Sequence, residues 1–432
     1  MGTFFEKHID NFLMLWYNKS IFVCAHGHMG RRRSMSIRTS YRHTLTAAYI
    51  AFITLATVNN FAPLLFLTFS TSWGIPLPRM ALLISVNFGI QLTVDLLAAG
   101  FAERIGYRTC IVAAHLLSAL GLLGLGLLPP LLPDPYIGLL LSVAVYAVGG
   151  GLLEVLTSPI AEACPTENKE AHMSLLHSFY CWGHVLVILL STAFFALVGI
   201  EHWPILACLW AILPLLNAIY LCFVPIRQLN DDTTAETVLS LPALLRRPLF
   251  WLFILMMFCA GAAEQAMGQW ASAFAEAGLG VSKTVGDLAG PCVFALLMGV
   301  SRFTSSRLTR CIKTETFMAL SCALCVLAFL LAGLSPSPVL SLIGCGLCGL
   351  SVGIFWPGTF SISAVSLRGG GTALFALLAL SGDLGCMGGP ALVSLGTVLL
   401  PGTTLKSAML IGLLFPLGLI AGLLVLARRA KK

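Results

Sequence analysis

The chain has 432 residues, of which 58% are hydrophobic and only 10% are charged, and its formal net charge is +7. This composition excludes an ordinary soluble domain, because a soluble protein with so many apolar residues would need an implausibly large hydrophobic core. It indicates a chain that lies mostly in a lipid bilayer. The positive balance is then a membrane-surface effect, and no nucleic acid partner is expected.

Apolar stretches of about 20 residues recur along the chain, and each is long enough to cross about 30 Å of hydrocarbon. Each should be a helix, because lipid offers backbone groups no other partner. We therefore predict an all-α membrane protein with twelve transmembrane helices. These are called spans 1 to 12 and are placed at residues 44–69, 80–101, 108–130, 136–160, 173–198, 203–226, 248–275, 284–304, 315–334, 339–363, 371–398 and 406–427.

Lys and Arg are unevenly distributed between the two sets of connectors. If the amino terminus is cytoplasmic, the outward connectors hold only Arg79, Lys283 and Lys406, and most other basic residues of the connectors face inward. The positive-inside rule therefore predicts that both termini are cytoplasmic. The expected location is a cell membrane, plasma or inner, crossed many times.

Residues 1–43 are interpreted as a non-membrane basic leader, because their apolar stretch is short and interrupted and is followed by RRRSMSIRTSYR. An upstream start-site artefact is one explanation. Translation from Met35 would give a short basic tail that runs directly into span 1.

The longest polar connector, residues 227–247, separates two sets of six spans at 44–226 and 248–428. Span 4 ends in GGGLLEVLTSPI and span 10 contains GLSVGIFWPGTF, with glycines and then a proline in matching places. Repeated halves that meet at a central cavity are typical of secondary transporters. We therefore expect two pseudo-symmetric six-helix bundles joined by a cytoplasmic linker.

The loop after span 2, Ala99 to Arg108, resembles the G-x-x-x-D-R-x-G-R-R signature of the major facilitator superfamily. It departs from that signature at Ala99, Glu103 and Tyr107 but keeps both signs of charge. The resemblance implies the twelve-helix fold of that superfamily and a gate at this loop and at its counterpart after span 8. The implied gating residues are Glu103, Arg104, Gly106, Arg108 and Arg302.

A narrower resemblance is to the fucose-permease-like branch of sugar:proton symporters. Leu153–Pro159 is similar to the branch's L-E-x-x-x-N-P pattern, Met173–Phe179 to its L-N-x-x-H-x-F/Y segment, and Glu264–Trp270 to its E-x-x-x-G-x-W pattern. One departure is Pro63 in span 1, where sugar:proton members carry an Asp. The usual pair of acids in the N-terminal half is therefore incomplete.

Ionisable residues within lipid cost about 3 kcal/mol or more, so those that are present are usually functional. Glu154 and Glu264 lie in spans 4 and 7, and Asp383 lies near the middle of span 11. His177 and His184 share one face of span 5. We interpret these five residues as candidates for proton or substrate coupling, because the sequence shows buried acids without buried bases. The alternative is that they are packed groups with purely structural hydrogen bonds.

Polar and aromatic residues near the candidate acids predict a cavity for a hydroxylated solute. Amides bind hydroxyl groups, and an indole covers an apolar sugar face. An irregular first helix beside Pro63 is also expected. The cavity candidates are Asn59, Asn60, Tyr180, Gln265, Gln269, Trp270 and Trp356. Two further acids are assigned otherwise: Asp95 to an ion pair with the Arg104 or Arg302 region, and Asp287 to a solvated helix end.

The expected function is secondary active transport of a small polar solute, with proton-coupled sugar uptake as the main hypothesis. Export of an amphipathic or cationic compound by antiport is the alternative. A non-transporting sensor or a membrane enzyme is the alternative from another class. No cofactor or metal is expected, and ATP drive is not expected because no G-x-x-x-x-G-K-[ST] loop occurs. The expected partners are the solute, protons and lipid, with the protein as a monomer.

Overall fold

The computed structural model describes residues 37–165, 169–226, 241–308, 312–367, 371–399, 402 and 404–430. These residues are helical or in short connectors, and they contain no strand. The predicted leader up to residue 36 and residues 227–240 of the predicted linker lie outside the described residues. Ile37–Lys432 forms one compact unit.

The prediction of twelve membrane-spanning helices is confirmed within the described residues. Many leucines and other large apolar side chains on these helices are exposed, as expected of surfaces that face lipid. The spans are Tyr41–Trp73, Leu77–Ala98, Tyr107–Leu131, Pro135–Glu162, Leu175–Val198, Ile200–Phe223, Pro248–Gly268, Lys283–Ser305, Thr314–Leu334, Pro338–Ser366, Leu374–Leu399 and Leu405–Arg429. The helix of span 2 continues to Ile105, and that of span 5 begins at Lys169.

The packing of the spans has an internal pseudo-symmetry. In the first half span 3 packs on spans 4 and 6, span 2 on span 4, and span 1 on spans 4 and 5. The second half repeats this arrangement, with span 9 on spans 10 and 12, span 8 on span 10, and span 7 on spans 10 and 11. The halves meet where span 2 contacts span 11 and where span 5 contacts span 8. Span 2 corresponds to span 8 and span 5 to span 11 in this pseudo-symmetry, so the two contacts between the halves are equivalent.

Irregular turns occur within or at the end of several spans, among them spans 1, 7 and 10. Span 1 consists of Tyr41–Asn60, a 3-10 turn at Ala62–Leu65 and Phe66–Trp73, so the predicted irregularity beside Pro63 is present. The first helix of span 7 ends at Gly268, and span 10 is divided into Pro338–Val352 and Phe355–Ser366. Irregular backbone within a membrane is tolerated only where protein or a cavity surrounds it.

Glycines allow spans 7 and 11 to approach closely. A Cβ atom on Gly261 would overlap the carbonyl oxygen of Gly382, and one on Gly385 would overlap the carbonyl oxygen of Phe258. Small residues at a helix contact let the backbones meet, which is a main source of helix association in lipid. Span 7, which carries Glu264, is thereby held against span 11, which carries Asp383.

We expect Gly385→Ala to lower the free energy of unfolding by about 1–3 kcal/mol, because the added methyl group forces two backbones apart. The measurement is the thermal unfolding midpoint in detergent. Gly388→Ala is the matched control on the same helix, since its Cβ would lie 3.3 Å from the end of the Phe258 ring, which can move. Equal midpoints for the two variants would show that the close approach of spans 7 and 11 does not contribute to the stability of the folded protein.

Candidate functional site

Because the described residues form an even number of spans, span 1 begins and span 12 ends on the same side of the membrane. We call this side the terminal face; it includes Tyr41, where span 1 begins, and Arg429, where span 12 ends. The opposite side is called the distal face, and it includes the connectors before Leu77 and before Lys283.

A network of side-chain amides joins the two halves of the protein. Asn59 Oδ1 accepts hydrogen bonds from Asn87 Nδ2 at 3.0 Å and from Gln91 Nε2 at 2.7 Å. Gln269 Nε2, from the second half, lies 3.3 Å from the Asn59 carbonyl oxygen and 2.9 Å from Gln265 Oε1. The structure therefore brings together three of the predicted cavity residues. Asn87 and Gln91, which also belong to this network, are not among the cavity residues predicted from the sequence.

The predicted polar face of span 5 lies beside this network. Asn60 Nδ2 lies 3.4 Å from the Tyr180 hydroxyl oxygen. His177 packs its ring edge-on against Phe52 of span 1, with the ring centroids 5.2 Å apart. His184 is only 4% exposed, and its Nδ1 has no hydrogen-bond partner among the described residues.

Glu264 forms a buried ion pair with Arg302 of span 8. Arg302 Nη2 donates to Glu264 Oε2 at 2.9 Å, and the Glu264 side chain is 6% exposed. The interpretation that this chain has buried acids without buried bases is therefore wrong for Glu264. The sequence predicts Arg302 to be a gating residue and does not predict its pair with Glu264. The two residues are 38 positions apart, and sequence spacing alone does not show that they meet.

Three carboxylates from both halves interact electrostatically: Asp95 of span 2, Glu154 of span 4 and Asp383 of span 11, and Glu264 of span 7 also acts on Glu154. We call Asp95, Glu154 and Asp383 the carboxylate group. No described Lys, Arg or His forms an ion pair with any of them. The predicted pairing of Asp95 with Arg104 or Arg302 is therefore wrong, and Asp95 Oδ1 is buried with no hydrogen-bond partner in the described part of the chain.

The two candidate tryptophans have different surroundings. Trp356 is partly exposed, and its indole packs on Gly382, the residue next to Asp383. Trp270 is fully buried, and its Nε1 donates to the Pro390 carbonyl oxygen at 3.1 Å. In this conformation Trp270 supports the junction of spans 7 and 11 and does not face open space.

The predicted gating loop turns sharply between spans 2 and 3. Gly106 adopts a φ of 98°, which side chains other than that of glycine rarely allow. Arg108 donates to the carbonyl oxygens of Leu221, Cys222 and Val224 at 2.7, 3.0 and 2.8 Å, and so binds the end of span 6 in its own half. Arg104 is exposed.

The side chain of Glu103, a further residue of the predicted gate, lies outside the described part of the chain. The gating role of the loop between spans 2 and 3 stays a prediction.

No group of three or more His, Cys, Asp or Glu residues in the described ranges has the arrangement of a metal site.

Asp287 is not solvated as the sequence suggested, since it is fully buried at the distal end of span 8. Its Oδ1 accepts a hydrogen bond from Ser272 Oγ at 2.6 Å, and Lys283 forms an ion pair with it at 2.9 Å. A second acid, Glu276, also pairs with Lys283, at 3.0 Å. Burial raises the pKa of Glu276, and the positive charge of Lys283 opposes that shift.

The sequence profile of the Major Facilitator Superfamily matches residues 47–390, which is most of the chain. The chain belongs to the Major Facilitator Superfamily. Members of this superfamily are transporters and not enzymes. No curated protein matches the sequence.

Solved structures of Major Facilitator Superfamily transporters share the fold. A variant of the E. coli fucose:proton symporter FucP is similar with a TM-score of 0.61 and 17% identity, over 89% of this chain and 99% of that chain. A bacterial homolog of the human lysosomal transporter Spinster, in an inward-facing and unoccupied conformation, gives a TM-score of 0.67 and 15% identity, over 90% and 95%. FucP in the outward conformation gives 0.58 and 16%, over 88% and 98%.

Proposed function

We propose that this superfamily member is a proton-coupled transporter that takes up a small polar solute, with a neutral sugar as the first candidate. In this proposal it works as a monomer in the plasma or inner membrane, with the terminal face in the cytoplasm. Most of the basic connector residues are then cytoplasmic, as the positive-inside rule requires.

The observation that carries the proton coupling is the carboxylate group. Three carboxylates brought within reach of one another in lipid repel strongly, and protonation or a bound cation relieves the repulsion. Asp95 and Glu154 belong to the first half, whereas Asp383 belongs to the second. The repulsion therefore depends on how the halves are oriented, so proton binding and conformation are linked.

The sugar assignment is supported by the amide and indole groups of the predicted cavity residues. The amides of Asn59, Gln265 and Gln269 supply donors and acceptors for hydroxyl groups, and Trp356 supplies a partly exposed indole. FucP, which has the same fold, is a fucose:proton symporter by its own description.

Export of a cationic compound in exchange for protons is the second candidate function. The same carboxylate group favours it, because no described cation pairs with these acids while Arg302 is already paired with Glu264. An organic cation would then occupy the position that protons occupy in the first proposal.

The test is a proton-flux assay in proteoliposomes that contain a trapped pH-sensitive dye. We expect neutral hexoses added outside to carry protons inward and to acidify the lumen. Alkalinisation on addition of a membrane-impermeant organic cation such as choline, absent in vesicles without the protein, would replace the first candidate with the second. A lumenal pH that responds to neither class, in vesicles whose protein is folded, would overturn the proton coupling itself.

A further inference from the structure

Lys283, the first residue of span 8, is the centre of a polar cluster at the distal face. Its Nζ lies 2.6 Å from the Leu64 carbonyl oxygen, 3.0 Å from Glu276 Oε1 and 2.9 Å from Asp287 Oδ1. It also lies 3.1 Å from Ser272 Oγ. The Lys283 side chain is only 19% exposed, so these contacts are made largely away from solvent.

The acceptor on Leu64 comes from the other half of the protein. Leu64 is in the 3-10 turn Ala62–Leu65, which interrupts span 1 at Pro63. A carbonyl group in an irregular segment at membrane depth needs a donor from elsewhere in the protein. Lys283 supplies that donor across the boundary between the halves.

Span 5 adds a second connection between the halves at the same place. Thr192 Oγ1 donates to Asp287 Oδ2 at 3.4 Å, and the ring of Phe195 lies 5.9 Å from Lys283 Nζ. The cluster therefore joins spans 1 and 5 of the first half to span 8 and the preceding residues 272–276 of the second. A charge-assisted hydrogen bond that is shielded from water is stronger than the same bond at a surface.

We propose that Lys283 locks the two halves together at the distal face, and that its bond to the Leu64 carbonyl must break before the central site opens to that side. This role rests on alternating access in the superfamily and is independent of which solute or ion is carried. It also gives the interruption at Pro63 a purpose, which is to present a main-chain acceptor to the second half.

Lys406 provides a matched control on the same face. Its ammonium group also donates to a carbonyl oxygen, that of Ser335, but both residues belong to the second half. Removing the Lys406 amine therefore deletes a distal lysine–carbonyl bond without releasing one half from the other.

The experiment is hydrogen–deuterium exchange of the full chain in lipid nanodiscs, which needs no knowledge of the substrate. In Lys283→Met we expect amides near Leu64 and in residues 271–287 to exchange about tenfold faster, as their opening becomes less costly. Amides at the terminal face, near Gly106 and Ser305, should exchange more slowly as that side closes. Lys406→Met should change neither region.

A second variant addresses misfolding, because Lys283→Met leaves Glu276 and Asp287 buried without a cation. Lys283→Met combined with Glu276→Gln keeps the net charge of the cluster at its original value while still removing the bond to Leu64. Distal amides that exchange as in the unmodified protein, in a variant with an unchanged thermal midpoint, would overturn the proposal. Faster exchange at both faces together would overturn it too, since that result indicates general loosening.

Discussion

Replacing Arg302 with methionine is expected to lower the free energy of unfolding by about 3–5 kcal/mol, which is the usual cost of removing one partner from a buried ion pair. Glu264, whose side chain is 6% exposed, would lose its only ion-pair partner among the described residues. The expected result is little folded protein in the membrane, and a much lower thermal midpoint for whatever can be purified.

A double-mutant cycle separates this pairing from simple loss of packing. Arg302→Met combined with Glu264→Met removes both charges at similar volume, and such replacements are often neutral or stabilising. We expect the double variant to recover most of the thermal midpoint lost in Arg302→Met. A double variant that is as unstable as the sum of the two single variants would contradict the importance of the pair.

Replacing Glu154 with glutamine, or Asp383 with asparagine, is expected to abolish proton-driven accumulation while leaving the fold intact. One proton per solute allows about tenfold accumulation for each pH unit, because one unit corresponds to about 1.36 kcal/mol. In either variant we expect accumulation to fall to the level of simple equilibration. Exchange of labelled for unlabelled solute should continue, because that exchange needs no net proton movement.

The control is Glu162→Gln, an exposed acid on the same span as Glu154. It removes an identical charge from the same helix but not from the carboxylate group, so full accumulation is expected. The measurement is uptake of the active solute by proteoliposomes under an imposed pH gradient. Undiminished accumulation in both Glu154→Gln and Asp383→Asn would remove these residues from the coupling mechanism.

The twelve spans could be predicted from the sequence because membrane insertion depends on a local property, the length and polarity of each segment. The observed first span begins at Tyr41, three residues before the predicted start, and the last ends at Arg429. The interruption beside Pro63 was also predictable, since proline lacks the backbone donor that a regular helix needs. Both kinds of prediction use neighbouring residues only.

The partners of the ionisable residues could not be predicted in the same way. Arg302 follows a small residue at the end of a span and resembles a loop cation, yet it pairs with an acid of the preceding span. Asp95 was assigned to that arginine, but spans 2, 4 and 11 bring it to two other carboxylates. Such partners depend on the rotation and tilt of each helix, which single-sequence spacing does not determine.

The close packing of spans 7 and 11 has a consequence for the way charge is distributed during the cycle. Because glycine contacts hold these helices together, we expect Asp383 to move as a rigid part of the second half. Asp95 and Glu154 move with the first. We expect each reorientation to move Asp383 relative to Asp95 and Glu154, so the repulsion between the acids of the two halves changes with the orientation of the halves. The affinity of these acids for protons is then expected to depend on the orientation of the two halves.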